Sequence, residues 1–205
     1  MDKNMMHKTI RISVISSLII FILLCALTNT SEEIDFISYM SKTVTIIMVF
    51  WVLYFNYGWK IKWFDKIYKI PNLNGTWIGY LESDWIDENG NGIDAIEFYI
   101  VIKQSFFNIN IKTFTESYVG KSYIEKIDFN EKEEEMKLAY FYCSDIISSE
   151  EDKRQGVAEL RVFEDTLFLK GKYWTRNKTC GAITVRFHNR KRYSTYEEIK
   201  SHLNN

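Results

Sequence analysis

The sequence predicts a membrane-anchored all-β protein: a two-helix transmembrane hairpin, a small eight-stranded antiparallel up-and-down β-barrel, and a short C-terminal helix. Three observations carry this. Two runs of about twenty residues within the first sixty are almost free of charge. From Pro71 onward short stretches alternate apolar and polar residues, as half-buried strands do. One proline and nine glycines in 205 residues, with 16% aromatic side chains, leave few breakers and much bulk for a core, which excludes disorder and collagen-like repeats. The expected organisation is 1–60 for the membrane region, 61–70 for a basic and aromatic linker, 71–193 for the barrel and 194–205 for the terminal helix.

The two runs are residues 10–29 and 36–55, whose charges are Arg11, Lys42 and nothing else. At about 1.5 Å per residue each covers a hydrocarbon layer of roughly 30 Å. A cleaved signal peptide is the competing explanation, because Lys3, Lys8 and Arg11 lead into a 14-residue apolar run. No small-x-small cleavage site follows, Leu24 precedes Cys25 where a lipoprotein site has a small residue, and a second span arrives at once. Lys3, Lys8 and Arg11 stand before the first span, Glu32, Glu33 and Asp35 between the spans, and Lys60, Lys62, Lys66 and Lys69 after the second. The positive-inside rule then places both termini, and the barrel that follows the spans, on the cytoplasmic side. Trp51, Tyr54, Tyr57, Trp59 and Trp63 cluster where the second span ends and are expected to anchor at the interface. Ser13, Ser16, Ser17, Ser38, Ser41, Thr43 and Thr45 suit close helix packing.

Eight strands are expected: Thr76–Ser83, Ile93–Lys103, Phe106–Phe114, Tyr118–Phe129, Met136–Ser144, Val157–Glu164, Thr166–Tyr173 and Thr179–His188. Asn89-Gly90-Asn91-Gly92 and Glu164-Asp165 supply turns. Closing the sheet removes exposed edges, which favours a barrel over the alternative β-sandwich. Five strands show which face turns inward: Trp77, Gly79 and Leu81; Ile96, Phe98, Ile100 and Ile102; Phe107, Ile109 and Ile111; Leu167, Leu169, Gly171 and Tyr173; Gly181, Ile183, Val185 and Phe187. Ser194 with Glu197 reads as a capping box that starts a helix ending near His202. The runs Glu131–Glu135 and Glu150–Arg154 read as solvated turns.

Catalytic chemistry finds no carrier, so the chain is not expected to be an enzyme or to need a cofactor or metal. Asp87-Glu88-Asn89-Gly90-Asn91-Gly92 opens like a calcium loop, but Phe98 occupies the twelfth position where a glutamate belongs. Gly120-Lys121-Ser122 has Thr115 where a phosphate loop has its first glycine. Cys25, Cys143 and Cys180 have no paired spacing, and His7, His188 and His202 accompany no nucleophile motif. Glu97 and Glu159 are placed on the solvated strand face. Residues 71–205 hold 18 Lys/Arg against 22 Asp/Glu, which argues against a partner as strongly charged as DNA or RNA.

One segment combines cations, rings and hydroxyl or amide groups: Gly171-Lys172-Tyr173-Trp174-Thr175-Arg176-Asn177-Lys178-Thr179-Cys180-Gly181. Rings stack on bases, and Arg with Thr and Asn holds phosphate, so the segment suits a nucleotide. Two short spans, then Leu73-Asn74-Gly75-Thr76-Trp77, then Gly171-x-Tyr173-x-x-Arg176 with Thr179-x-Gly181, resemble a bacterial antiphage family: the SMODS-associated effectors with two transmembrane helices and a β-strand-rich domain, found in cyclic-oligonucleotide-based signalling systems (CBASS). The Gly-x-Trp of the first strand is shared with lipocalins at large, so Trp77 is assigned to the core. The resemblance implies a receptor whose barrel binds a cyclic dinucleotide made by a partner nucleotidyltransferase (CD-NTase). It implies further that the protein forms homo-oligomers and that its helices disrupt the lipid bilayer. Ligand-binding candidates are Tyr173, Arg176, Asn177 and Thr179, with Tyr80, Tyr140 and Tyr142 as further aromatics whose facing the alternation leaves open. The alternatives are a tethered lipocalin-like protein for a lipid or other apolar small molecule, a membrane-anchored hydrolase, and a plain anchor.

Overall fold

The structure, a computed structural model, describes residues 3–28, 33–61, 63–64, 67–86, 90–130, 135–146, 149–163 and 167–204. The turn residues Asp87, Glu88, Asn89, Glu164 and Asp165, the run 131–134, and the expected charges Glu32, Lys62 and Lys66 lie outside them. The chain divides into two compact units, Met1–Ile70 and Pro71–Asn205.

The first unit holds α1 (Lys3–Thr28) and α2 (Glu33–Asn56), followed by one 3-10 turn at Gly58–Lys60. Within them Asn4–Leu27 and Phe36–Asn56 are long and apolar enough to cross a membrane. The first stretch starts six residues before the apolar run because nothing breaks the helix at Lys8 or Arg11. Apolar side chains along both helices, among them Leu18, Ile22, Leu27, Val44, Met48 and Val52, are more than half exposed, a surface that lipid tolerates and water does not. Hydroxyls on the helices donate back to carbonyls one turn earlier: Thr9 to Met5, Ser16 to Ile12, Thr43 to Tyr39, Thr45 to Ser41. Such groups are thereby satisfied without water. Ser13 does more, donating to the Thr9 carbonyl and accepting from the Trp51 indole at 2.8 Å, which ties α1 to α2. Of the five aromatics expected to anchor at the interface, Trp51, Tyr54 and Trp59 are buried, while Tyr57 and Trp63 are exposed.

The second unit is a closed barrel whose strands follow chain order: β1 (Gly75–Ser83), β2 (Ile96–Gln104), β3 (Ile109–Phe114), β4 (Tyr118–Asn130), β5 (Glu135–Ile146), β6 (Ser149–Phe163), β7 (Phe168–Thr175) and β8 (Cys180–Asn189). Every neighbouring pair is antiparallel and β8 closes on β1. The core takes Trp77, Phe98, Ile100, Ile102, Ile111, Leu138, Leu160, Leu169, Ile183 and Val185 from the inward phases. Two expected inward residues differ. Phe107 is exposed, because a turn closed by Ser105 N–H to the Asn108 carbonyl delays β3 until Ile109. Leu167 is exposed with φ +53°, ahead of a strand that begins at Phe168. The run Glu150–Arg154 is not a turn: β6 starts at Ser149, laddered to β5.

One end of the barrel is closed. Leu73 and Trp77 sit at 2% exposure, the Trp77 indole donates to the Leu73 carbonyl at 2.9 Å, and its ring meets Phe187 edge-on. The Gln104 side chain accepts from Leu73 N–H and donates to the Pro71 carbonyl, while Asn74 accepts from Gln104 N–H. Both the oxygen and the nitrogen of a buried amide are thus bonded, which lowers the cost of burying it.

α3 (Tyr196–Leu203) begins one residue later than expected: Thr195, not Ser194, is the cap, accepting from Glu198 N–H, while Glu198 takes the Ser194 N–H. The boundary moves because Thr195 is the residue left extended, at φ −136° and ψ 162°. α3 forms a second core outside the barrel, where Tyr196, Ile199 and Tyr193 cover Tyr99, Val101 and Phe114. This is why β2 is apolar on both faces. Glu97 stands at its rim and accepts from the Tyr99 and Tyr196 hydroxyls at 3.0 and 2.7 Å, with Lys200 at 3.4 Å. Those hydrogen bonds, that of Tyr196 first, hold its pKa below the usual carboxylate range.

Candidate binding cavity

The open end of the barrel carries a cavity of about 480 Å³, within the ~300–1,000 Å³ typical of small-molecule sites. It lies where β1 leads to β2, β3 to β4, β5 to β6 and β7 to β8. Its walls are inward residues from the mouth-side halves of those strands, together with Trp85, Ile93, Thr115, Asn177 and Thr179 from the connections between them. The alternation that packs Leu138 and Leu160 below puts Tyr140, Tyr142 and Ser144 above on the same face of β5.

Glycines open the space. A Cβ on Gly156 would stand 2.6 Å from the Tyr142 hydroxyl, and one on Gly120 would stand 2.2 Å from Thr113 Oγ1. Both rings and hydroxyls occupy room that any larger residue would take.

Among the described residues the cation in the wall is Arg154, on β6, an exposed side chain whose guanidinium lies 4.3 Å from the centre of the Tyr118 ring. That stacking fixes a planar donor fork at the cavity wall. Tyr142 is flanked by Tyr173 and Arg154, and burial first, then Tyr173, push its phenol up to about 12. Burial likewise raises Tyr140 and Tyr173, and Tyr173 is hydrogen-bonded to Ser83. All three hydroxyls are therefore neutral donors at physiological pH. The β7–β8 corner is tied by Thr175 N–H to the Thr179 carbonyl at 2.9 Å and by a 2.6 Å bond between the two Thr hydroxyls. Lys178 takes φ +62° there, and Asn177 reaches the cavity wall. Beside this corner Asp84 accepts from the Cys180 thiol at 2.7 Å and from its N–H at 3.0 Å, which lowers the carboxyl pKa and raises that of the thiol.

Of the residues selected from sequence, Tyr173, Asn177, Thr179, Tyr140 and Tyr142 line this cavity together. Arg176 does not: it is exposed on the corner, its N–H bonded to the Gln155 carbonyl. Tyr80 is on the outer wall at 56% exposure, the phase opposite to Trp77 and Leu81. Sequence reasoning missed Arg154, Tyr118, Thr113, Ser144, Ser83 and Trp85. The signal for Arg154 was register: counting along β6 from Leu160, opposite Leu138, sets Arg154 opposite Ser144. The wall thus offers rings for stacking, one fixed guanidinium, and hydroxyl and amide groups spread around an apolar floor of Leu81, Ile96, Phe98 and Ile183.

Residues 68–186 match the family model described as "Cap15, cyclic dinucleotide receptor domain". The chain is 31% identical over 143 residues to CD-NTase-associated protein 15 of Escherichia albertii, covering 66% of this chain and 70% of that protein. It is 28% identical over 173 residues to the protein of that name from Staphylococcus schleiferi, covering 83% of this chain and 90% of the relative.

Proposed function

The chain belongs to the Cap15 family of CBASS effectors, which carry a cyclic dinucleotide receptor domain, and from that premise we propose that its barrel cavity binds such a ligand and couples binding to membrane damage. The observation that carries the reading is the cavity itself, inside the matched segment, with Arg154 stacked on Tyr118 and facing Tyr142 and Tyr173. A cyclic dinucleotide presents two bases and two phosphodiesters. Tyr118, Tyr142 and Tyr173 supply faces and hydroxyls for the bases, and Arg154 supplies a bidentate partner for one phosphate. Asn177, Thr179, Thr175 and Ser83 offer hydrogen bonds from the β7–β8 side of the mouth, and Arg176 stands outside as a rim cation for the second phosphate.

The helices lie across the inner membrane with the barrel and both termini cytoplasmic, as the charge asymmetry favours. Ligand binding drives association of barrels through its higher affinity for the associated form. Linked helix pairs are then held at high effective concentration and breach the bilayer. The test is calorimetry of the full-length chain in detergent against 3′,3′-linked cyclic dinucleotides built from the four ribonucleotides, followed by dye release from loaded liposomes. Micromolar or tighter binding of at least one, with ligand-dependent leakage, is expected. Protease added outside intact spheroplasts is expected to leave residues 71–205 uncut. The second reading, a lipid or other apolar ligand, is favoured by the apolar floor alone; retention of a fatty acid with no cyclic dinucleotide bound selects it.

A further inference from the structure

Strand alternation gives β5 and β7 two different faces: Tyr142 and Tyr173 line the cavity, and their chain neighbours Phe141 and Trp174 turn outward. The registers set these outward side chains in one row across four strands. Ile124 of β4 stands opposite Phe141, Phe141 opposite Val157 of β6, and Val157 opposite Trp174. Ile124, Phe141 and Trp174 are exposed, and exposed Tyr123, at the bulge before Ile124, lays its ring 6.2 Å from that of Phe141. A contiguous apolar row on an outer wall marks a surface that meets something other than water.

The charges around the row select what it meets. Toward the closed end the next two registers carry Lys126, Glu159 and Lys172, then Asp128, Lys137, Arg161 and Lys170; on the mouth side stands Lys121. The described anions of this face are already met within it: Asp128 by Lys126 at 2.7 Å, Glu159 by Lys137 at 3.3 Å, and Glu135 by Arg161 and Lys137. Lys121, Lys170 and Lys172, all exposed, are the surplus. The face is thus net positive on a unit that is acidic as a whole, with 18 Lys/Arg against 22 Asp/Glu in residues 71–205. Rings and branched aliphatics set among lysines are complementary to a bilayer with anionic headgroups: the apolar row enters the headgroup boundary, and the lysines reach the phosphates on long stems. A second copy presenting the same face would set lysines against lysines.

We propose that the outer face of β4–β7, centred on Ile124, Phe141 and Trp174, rests on the anionic surface of a bilayer. This goes beyond the ligand reading and rests on the part of it that puts α1 and α2 across a membrane. Both units are one chain, so the bilayer is held at high effective concentration and a shallow contact suffices.

The experiment is hydroxyl-radical labelling of the full-length chain in nanodiscs of phosphatidylcholine alone or of phosphatidylcholine mixed with phosphatidylglycerol, read residue by residue by mass spectrometry. Trp174 and Phe141 are expected to label at least about fivefold more slowly in the anionic discs than in the neutral ones, the effect of one lysine at such a surface. Tyr80, exposed on the outer face of β1, should label equally in both. Lys170→Glu/Lys172→Glu should abolish the difference at Trp174 and Phe141 and leave Tyr80 unchanged, and high salt should weaken it. Equal labelling of Trp174 and Phe141 in the two discs, with Met48 and Phe50 of α2 protected, overturns this surface alone. Met48 and Phe50 labelled as freely as Tyr80 overturns the membrane reading, and this surface with it. Protection that appears in neutral discs too and grows with protein loading assigns the face to a second copy and overturns the proposal.

Discussion

The two ends of the barrel are built from the same strands and the same alternation, yet one is filled and the other hollow. At the closed end Trp77, Phe187, Ile102 and Leu73 meet, and the polar groups present, Gln104 and Asn74, spend their hydrogen bonds on each other and on the backbone. At the open end the inward positions are Gly120, Gly156, Thr113 and Ser144, with phenols whose hydroxyls stay protonated. The lesson is that a strand's inward phase fixes only which side chains face the interior. Their sizes decide whether that interior is core or site.

That contrast is open to attack at both ends. The largest effect belongs to the closed one: Trp77→Ala is expected to cost about 3–5 kcal/mol, read as a shifted denaturation midpoint, because it leaves a cavity in a packed core. A loss below about 1 kcal/mol would mean the floor collapses freely, and the asymmetry of the ends would lose its physical basis. Next comes Gly156→Ala at the open end, where the new methyl displaces the Tyr142 ring or strains the wall. Overpacking of this kind costs about 1–3 kcal/mol, and here the loss should appear in ligand affinity at least as much as in thermal stability.

Two arginines sharpen the boundary of the site. Arg154→Ala is expected to weaken cyclic dinucleotide binding at least tenfold, about 1.4 kcal/mol, with the melting temperature of the empty protein unchanged. Arg176→Ala, from outside the wall, should give a smaller loss that fades as salt is raised. Equal effects from the two would place the phosphates at the rim rather than inside. Because Tyr142 titrates only near 12, affinity should be flat between about pH 6 and 9.

The smallest expected effect lies outside the barrel, at α3. Glu97 has its pKa lowered in the fold, so its contribution is present above the ordinary carboxylate pKa of about 4.5 and is lost as pH falls through the lower folded value. Glu97→Gln should therefore destabilise the protein by less than about 1 kcal/mol at pH 7, and the difference from wild type should shrink steadily on acidification. A difference that grows on acidification would mean that Glu97 does not hold α3 as a carboxylate. Tyr196 contributes in the opposite sense: raised to about 12, it supports the fold below about pH 10 and ceases to as pH rises through that folded value.

The sequence by itself determined the two apolar helices, the eight strands in order, and the inward faces of β1, β2, β7 and β8, because hydrophobic periodicity is local and survives any tertiary arrangement. It also showed that the corner from Tyr173 to Thr179 is polar and aromatic. It did not settle which tyrosine of which strand enters the site, because β1 and β5 carry rings on both phases: Tyr80 went out while Tyr140 and Tyr142 went in. Nor did it reveal Arg154, because the residues before it, Ser149-Glu150-Glu151-Asp152-Lys153, carry no apolar period. Only the β5–β6 and β6–β7 registers, set by distant core pairs such as Leu138↔Leu160 and Leu160↔Gly171, carry that guanidinium to the cavity wall. The hollow end was likewise decided by closure. Small residues from β4 and β6 come to one level only when β8 meets β1 and the ring of strands fixes the height of each.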